Sequence, residues 1–152
     1  MKLSTRKFGE IEIDEATILS LPDGLPGFPG VERYVLIEDP DSSPFCWFQA
    51  VGNPDLALVV MDPLVFMPDY GIELDGVIKD MGWDGVEEKD LYIYVVVNIF
   101  GEKESRKITA NLMGPLVINL TTNQAVQVVL TDSGYSSQHI IIDTSVQDGQ
   151  EP

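Results

Sequence analysis

Chemistry in this chain would have to be built from carboxylates. The sequence holds 25 Asp and Glu, 9 Lys and Arg, one His and one Cys in 152 residues. Asp69, Glu73 and Asp75 cluster around Tyr70. Two carboxyl groups astride a glycosidic bond are the acid and base of glycoside hydrolysis. Glu73 and Asp75 would share one face of a strand. In so acidic a chain, however, such pairs arise from composition alone, and no other hydrolase signature accompanies them. His139 has Ser133, Ser136 and Ser137 close by in sequence. A serine–histidine pair needs positioning that no motif here announces, so a hydrogen-bonded histidine near a sheet edge is the expectation. With Cys46 as the sole thiol, a zinc site would have to draw its other ligands from carboxylates. "DPDSSPF", from Asp39, begins like a calcium loop, but Pro44 stands at the sixth position, where the sharp turn needs glycine. Gly24, Gly27 and Gly30 miss the dinucleotide spacing, and there is no P-loop lysine. The expectation is no catalytic residue, no cofactor and no metal.

Charge narrows the class of partner, although composition alone favours an acidic protein that is simply soluble. The formal net charge is −16. Such a surface repels the phosphates of nucleic acid and the headgroups of anionic membranes. It attracts and steers a basic protein. No apolar run approaches the roughly 20 residues of a membrane helix. The opening MKLSTRKFGEIEI lacks the apolar stretch of a signal peptide. Cys46, between Phe45 and Trp47, suits a buried thiol better than a nucleophile. A cytoplasmic protein, monomeric by default, is expected.

The elements that must position these residues are strands. Gly and Pro, 13 and 10 residues, punctuate short runs of Val, Ile, Phe and Tyr. The pattern predicts a hairpin over Lys2–Phe8 and Ile11–Ile13 turning at Gly9-Glu10. Further strands are expected at Arg33–Glu38, Phe45–Val51, Leu56–Asp62, Leu91–Phe100, Lys107–Leu112, Leu116–Leu120 and Ala125–Leu130. "LPDGLPGFPG", Leu21 to Gly30, must be a shaped loop, and Asp39–Pro44 a turn. "DPLVFMPDYGIEL", from Asp62, reads as an irregular connection, and Asp84 can cap a short helix running to Lys89. About nine such strands predict an all-β fold. The form is an antiparallel β-barrel-like single domain over residues 1–142, with at most one or two short helices. Asp143–Pro152 has no Lys or Arg and is expected to be a mobile acidic tail. Phe28, Phe66 and Tyr70 sit in loops, where aromatics either plug a barrel end or meet a partner.

"TANLMGPLVIN", Thr109 to Asn119, is a strand with a break in it. Alternation puts Ile108, Ala110 and Leu112 on one face and Thr109, Asn111 and Met113 on the other. Pro115 removes a ladder donor and Gly114 permits a bend. The strand is therefore expected to turn a barrel corner and continue elsewhere in the sheet. Asn111 and Asn119 would satisfy backbone groups freed at the corner and at the next turn.

The same segment resembles the signature of the flagellar assembly factor FliW family. So do "GLPGF" from Gly24, "SPFCWFQ" from Ser43, "LALVVMDPLVFMPDYGIEL" from Leu56 and "AVQVVLTDSGYSSQH" from Ala125, in the family's order. The likeness runs from about Phe8 to Ile142. It implies a non-enzymatic regulator of flagellum biogenesis. The regulator binds flagellin and, alternatively, the RNA-binding translational repressor CsrA, which it antagonises largely allosterically. Flagellin export thereby frees it to relieve repression of flagellin translation. Where the family often has Arg-His-Pro near the C-terminus, this chain has Gln138, His139 and Ile140. The motif positions give Phe66, Asp69, Tyr70, Asn111, Leu112, Pro115, Tyr135 and His139 as candidate partner-binding residues. Tyr70 and Leu112 could equally be core, and Asn111 and Pro115 belong to the bend itself. The alternative is a small-molecule or glycan-binding β-barrel module whose pocket is lined by Trp47, Tyr70 and Trp83.

Overall fold

A computed structural model describes residues 1–102 and 105–144. The strands are β1 (Lys2–Thr5), β2 (Gly9–Glu12), β3 (Leu19–Ser20), β4 (Arg33–Glu38), β5 (Cys46–Ala50), β6 (Ala57–Met61), β7 (Leu91–Glu102), β8 (Ser105–Ala110), β9 (Leu116–Asn119), β10 (Gln124–Gln127) and β11 (His139–Asp143). The helix α1 spans Asp75–Met81. The fold is all-β and barrel-like, as the strand pattern predicts. β7-β6-β5-β4-β3-β10-β9 run side by side, and β9 pairs back onto β7 to close a ring. All of these pairings are antiparallel except β10 with β3.

β7 is the spine, and β8 and β9 share one edge of it. Tyr94 pairs with Leu116 of β9, and Val97 pairs with Ala110 of β8. Opposite Val95 and Val96 the segment joining β8 to β9 runs through Asn111–Pro115, so the break is a bulged excursion along one edge. Asn111 Oδ1 accepts from Met113 N at 3.1 Å, and Asn119 Oδ1 accepts from Thr121 N at 2.9 Å. Both asparagines thus serve freed backbone groups, as expected. Beyond the ring, β8 and β11 extend the sheet from the far half of β7.

Three apolar clusters follow from this layout. The barrel interior holds Leu19, Tyr34, Phe48, Val60, Leu116 and Ile118, with Tyr34 stacked on Phe48 at 4.7 Å. A second cluster packs Tyr70 and Leu112 against Val95, Val97, Ile108 and Ala110 under the sheet extension. The third seats Leu74, Val77 and Trp83 on Leu91 and Val117, with Val126 packed alongside. All four residues of β9 are therefore buried, since its inward face lines the barrel and its outward face meets the helical segment.

Several elements differ from the sequence expectations. The helix lies at Asp75–Met81, and the Asp84–Lys89 region contributes only a short 3-10 turn over Glu88–Asp90. Leu74, Val77, Ile78 and Met81 stand at i, i+3, i+4 and i+7, and Gly82 closes the helix at φ 68°. Glu73 and Asp75 are consequently not neighbours on a strand face. The first hairpin turns at Arg6–Phe8, because Thr5 pairs with Gly9 and Gly9 adopts φ 69°. β11 adds a strand where none was expected, and Asp143, assigned to the tail, is its last residue. Residues 145–152 of that tail lie outside the described residues.

Candidate functional site

The connection after β6 begins with an Asp-Pro cap. Asp62 Oδ1 accepts from Leu64 N at 2.9 Å, and Pro63 occupies the start of the turn Pro63–Val65. Asp39-Pro40 repeats the device before β5, with Asp39 Oδ1 accepting from Asp41 N at 3.1 Å. Proline needs no donor there, and aspartate satisfies one. The first turn leaves Leu64 and Val65 exposed and lays Phe66 on the ring of His139, centroids 5.7 Å apart. The chain then turns inward at Tyr70.

Two tyrosines lock this connection to the rest of the molecule. Tyr70 is buried, and its hydroxyl donates to the carbonyl of Leu112 at 2.8 Å. Tyr135 leans on Tyr70 at 4.7 Å and donates to Gly71 O at 3.2 Å. Leu112 N donates to Ser136 O at 2.9 Å, which completes the tie between connection, bulge and C-terminal loop. Burial first, and Tyr135 second, push the Tyr70 phenol well above its ordinary range. A neutral phenol held this way donates a permanent hydrogen bond and is no acid or base near neutral pH.

The candidate residues thus divide. Phe66, Tyr70, Leu112, Tyr135 and His139 meet in one junction, with Asp69 exposed beside them. Tyr70, Leu112 and Pro115 are buried. Asn111 and Pro115 stand at the bulge, Asn111 facing a separate groove with Phe28, Gln127 and Gln138. His139 opens the edge strand β11 as expected, but its ring is stacked and makes no hydrogen bond among the described residues. Ser133 and Ser136 spend their hydroxyls on the loop backbone. Among the described residues no three of His, Cys, Asp and Glu gather as metal ligands.

Trp47, Tyr70 and Trp83 do not share a pocket. Trp47 lies outside the barrel between Phe8 and Lys7. Trp83 is buried, with its Nε1 donating to Gln124 Oε1 at 2.7 Å. One concave surface was not anticipated. It is the open barrel end, a groove of about 410 Å³ lined by Leu19, Leu36, Glu38, Tyr92, Tyr94 and Leu120 among others. The available signal was "LYIYV", a pair of tyrosines on one face of β7.

No helix among the described residues is long and apolar enough to cross a membrane. The comparisons with known proteins agree with the fold and with one another. A family model described as FliW protein matches residues 2–141. The flagellar assembly factor FliW of Alkaliphilus metalliredigens is 38% identical over 153 aligned residues, covering 99% of this chain and 91% of that protein. That of Caldanaerobacter subterraneus is 36% identical, covering 94% of each. A crystal structure of the flagellar assembly factor FliW superposes with a TM-score of 0.82 at 31% identity, covering 93% of this chain and 97% of that one. Sequence, fold and length together place the chain in the FliW family of flagellar assembly factors.

Proposed function

We propose that this protein binds flagellin and, alternatively, the translational repressor CsrA. It acts in the cytoplasm, as a monomer, without contacting nucleic acid or membrane, and it performs no catalysis. The family membership supports the flagellar role. The observation that carries the site is the junction of Phe66, Asp69, Tyr135 and His139. There, half-buried aromatics and an exposed carboxylate stand on a connection held rigid by Tyr70. Pre-organised aromatic anchors of this kind lower the ordering cost of a protein interface. The charge of −16 favours a basic RNA-binding partner and makes RNA binding to the resulting complex more costly.

Calorimetric titration with the repressor, repeated after saturation with flagellin, tests this reading. Binding that disappears in the presence of flagellin supports an exclusive switch. Binding that flagellin leaves unchanged removes the switch, and no heat from either partner removes the function. Within the interface, Phe66→Ala and Asp69→Lys are expected to weaken binding by at least about tenfold each, the loss of ~1.4 kcal/mol.

A further inference from the structure

The barrel interior is sealed at depth and opens gradually toward one end. Along β4, Tyr34 is fully buried, Leu36 is half-buried and Glu38 is exposed. Along β7, Val96 and Tyr94 are both half-buried and Tyr92 is 49% exposed. From β9 the progression runs from Leu116 and Ile118, both buried, to Leu120, 54% exposed. Every second residue faces inward, so these side chains form the wall of one funnel. Asn123 Nδ2 donates to Ala16 O at 2.7 Å and ties part of the rim in place. A second groove of about 250 Å³, lined by Asp62, Leu64, Tyr70, Tyr92 and Tyr94 among others, continues from the first across the two shared tyrosines.

The chemistry of this funnel is one-sided. Its walls are mostly aliphatic, with Thr17 and Asn123 beside them, its mouth holds two phenols, and its charged lining residues among those described are Glu38 and Asp62. Among the described residues no Lys, Arg or His lines either groove. Glu38 forms no salt bridge among the described residues. The Tyr94 hydroxyl makes no hydrogen bond there either, although the ring is half-buried. Burial, then Cys46, Glu38, Asp62 and Tyr92, push that phenol up to about 12, the mark of an apolar site with negative neighbours.

We propose that the open barrel end is a receptor for one basic side chain, Lys or Arg, of a protein segment whose flanking residues are aliphatic. The stem would lie along Leu36 and Ile118. The cationic head would meet Glu38 and the faces and hydroxyls of Tyr92 and Tyr94, the combination that recognises ammonium and guanidinium groups. The flanking aliphatic residues would cover Leu64 and Leu120. This site lies on the Tyr92 side of the connection and does not depend on the flagellin and repressor reading.

Amide chemical-shift titration with four short capped peptides, Leu-X-Leu-Leu with X as Lys, Arg, acetyl-lysine or norleucine, tests the proposal. The Lys or Arg peptide is expected to shift Leu36, Glu38, Tyr92 and Tyr94, and to bind roughly fivefold or more tightly than its two uncharged counterparts. Glu38→Gln, at an exposed rim position, is expected to abolish that preference while the fold is retained. Norleucine binding as tightly as Lys and Arg, shifts located away from the mouth, an indifferent Glu38→Gln variant, or no binding by any peptide would each overturn it. None of these results bears on the calorimetry with flagellin and the repressor, so the two readings fail separately.

Discussion

Two pairs of tyrosines, Tyr70 with Tyr135 and Tyr92 with Tyr94, are used in opposite ways. Tyr70 and Tyr135 spend both hydroxyls on backbone groups of other segments. Tyr92 and Tyr94 make no hydrogen bond through theirs among the described residues, and Tyr92 is largely exposed. A satisfied polar atom in a buried place fixes geometry. An unsatisfied one at the rim of an apolar groove is available to something else. The first pair therefore holds the molecule's shape, and the second is left for a visitor.

The sharpest way to break this contrast is to remove the Tyr70 ring. Tyr70→Ala is expected to cost about 3–5 kcal/mol in urea unfolding, through the lost packing and the cavity it leaves. Tyr70→Phe keeps the ring but strands the buried carbonyl of Leu112, for about 1–3 kcal/mol. Gly114→Ala should fall lower, at about 1–2 kcal/mol. Its new Cβ would approach Asn111 Nδ2 and Gln127 Nε2 to 2.9 Å, and amide side chains can give way. Tyr92→Ser should stay within about 0.5 kcal/mol of the parent. If Tyr92→Ser matched Tyr70→Phe in the same unfolding assay, the division into locked and free tyrosines would be lost.

The weakest effect is alkaline. A phenol with a raised folded pKa gives no pH dependence while both states are protonated, below about pH 10. Above that the unfolded chain releases the proton first, so stability falls as pH rises toward 12 for Tyr94. Unfolding midpoints of Tyr94→Phe should fall less steeply over that window than those of the parent.

The junction was partly legible in the sequence, and the mouth was not. Tyr70 and Tyr135 occur inside motif blocks, and the break at Gly114-Pro115 announces a bend by its residue types alone. Whether Tyr70 is a contact or a plug depends on what closes over it, which is a tertiary fact. Tyr92 and Tyr94 look like core in a strand so apolar on both faces. An open barrel end becomes visible only when β4, β7 and β9 are set side by side. The helix was legible but outcompeted: it is only seven residues long, and the Asp84–Glu87 spacing offered a rival cap. β11 was hidden because Ile140-Ile141-Ile142 shows no alternation: the exposed positions Ile140 and Ile142, on either side of half-buried Ile141, are apolar too.

Ring closure has a last consequence, for the behaviour of the protein in solution. It removes the free margins of the ring and, among the described residues, leaves β11 paired with β8 alone. That strand presents Ile140 and Ile142 outward, a template for stacking further copies. Mutual repulsion from a net charge of −16 opposes such stacking. Acidifying toward the isoelectric point near 4.1 removes that protection. Light scattering should then rise with self-association, and Ile140→Lys should suppress it.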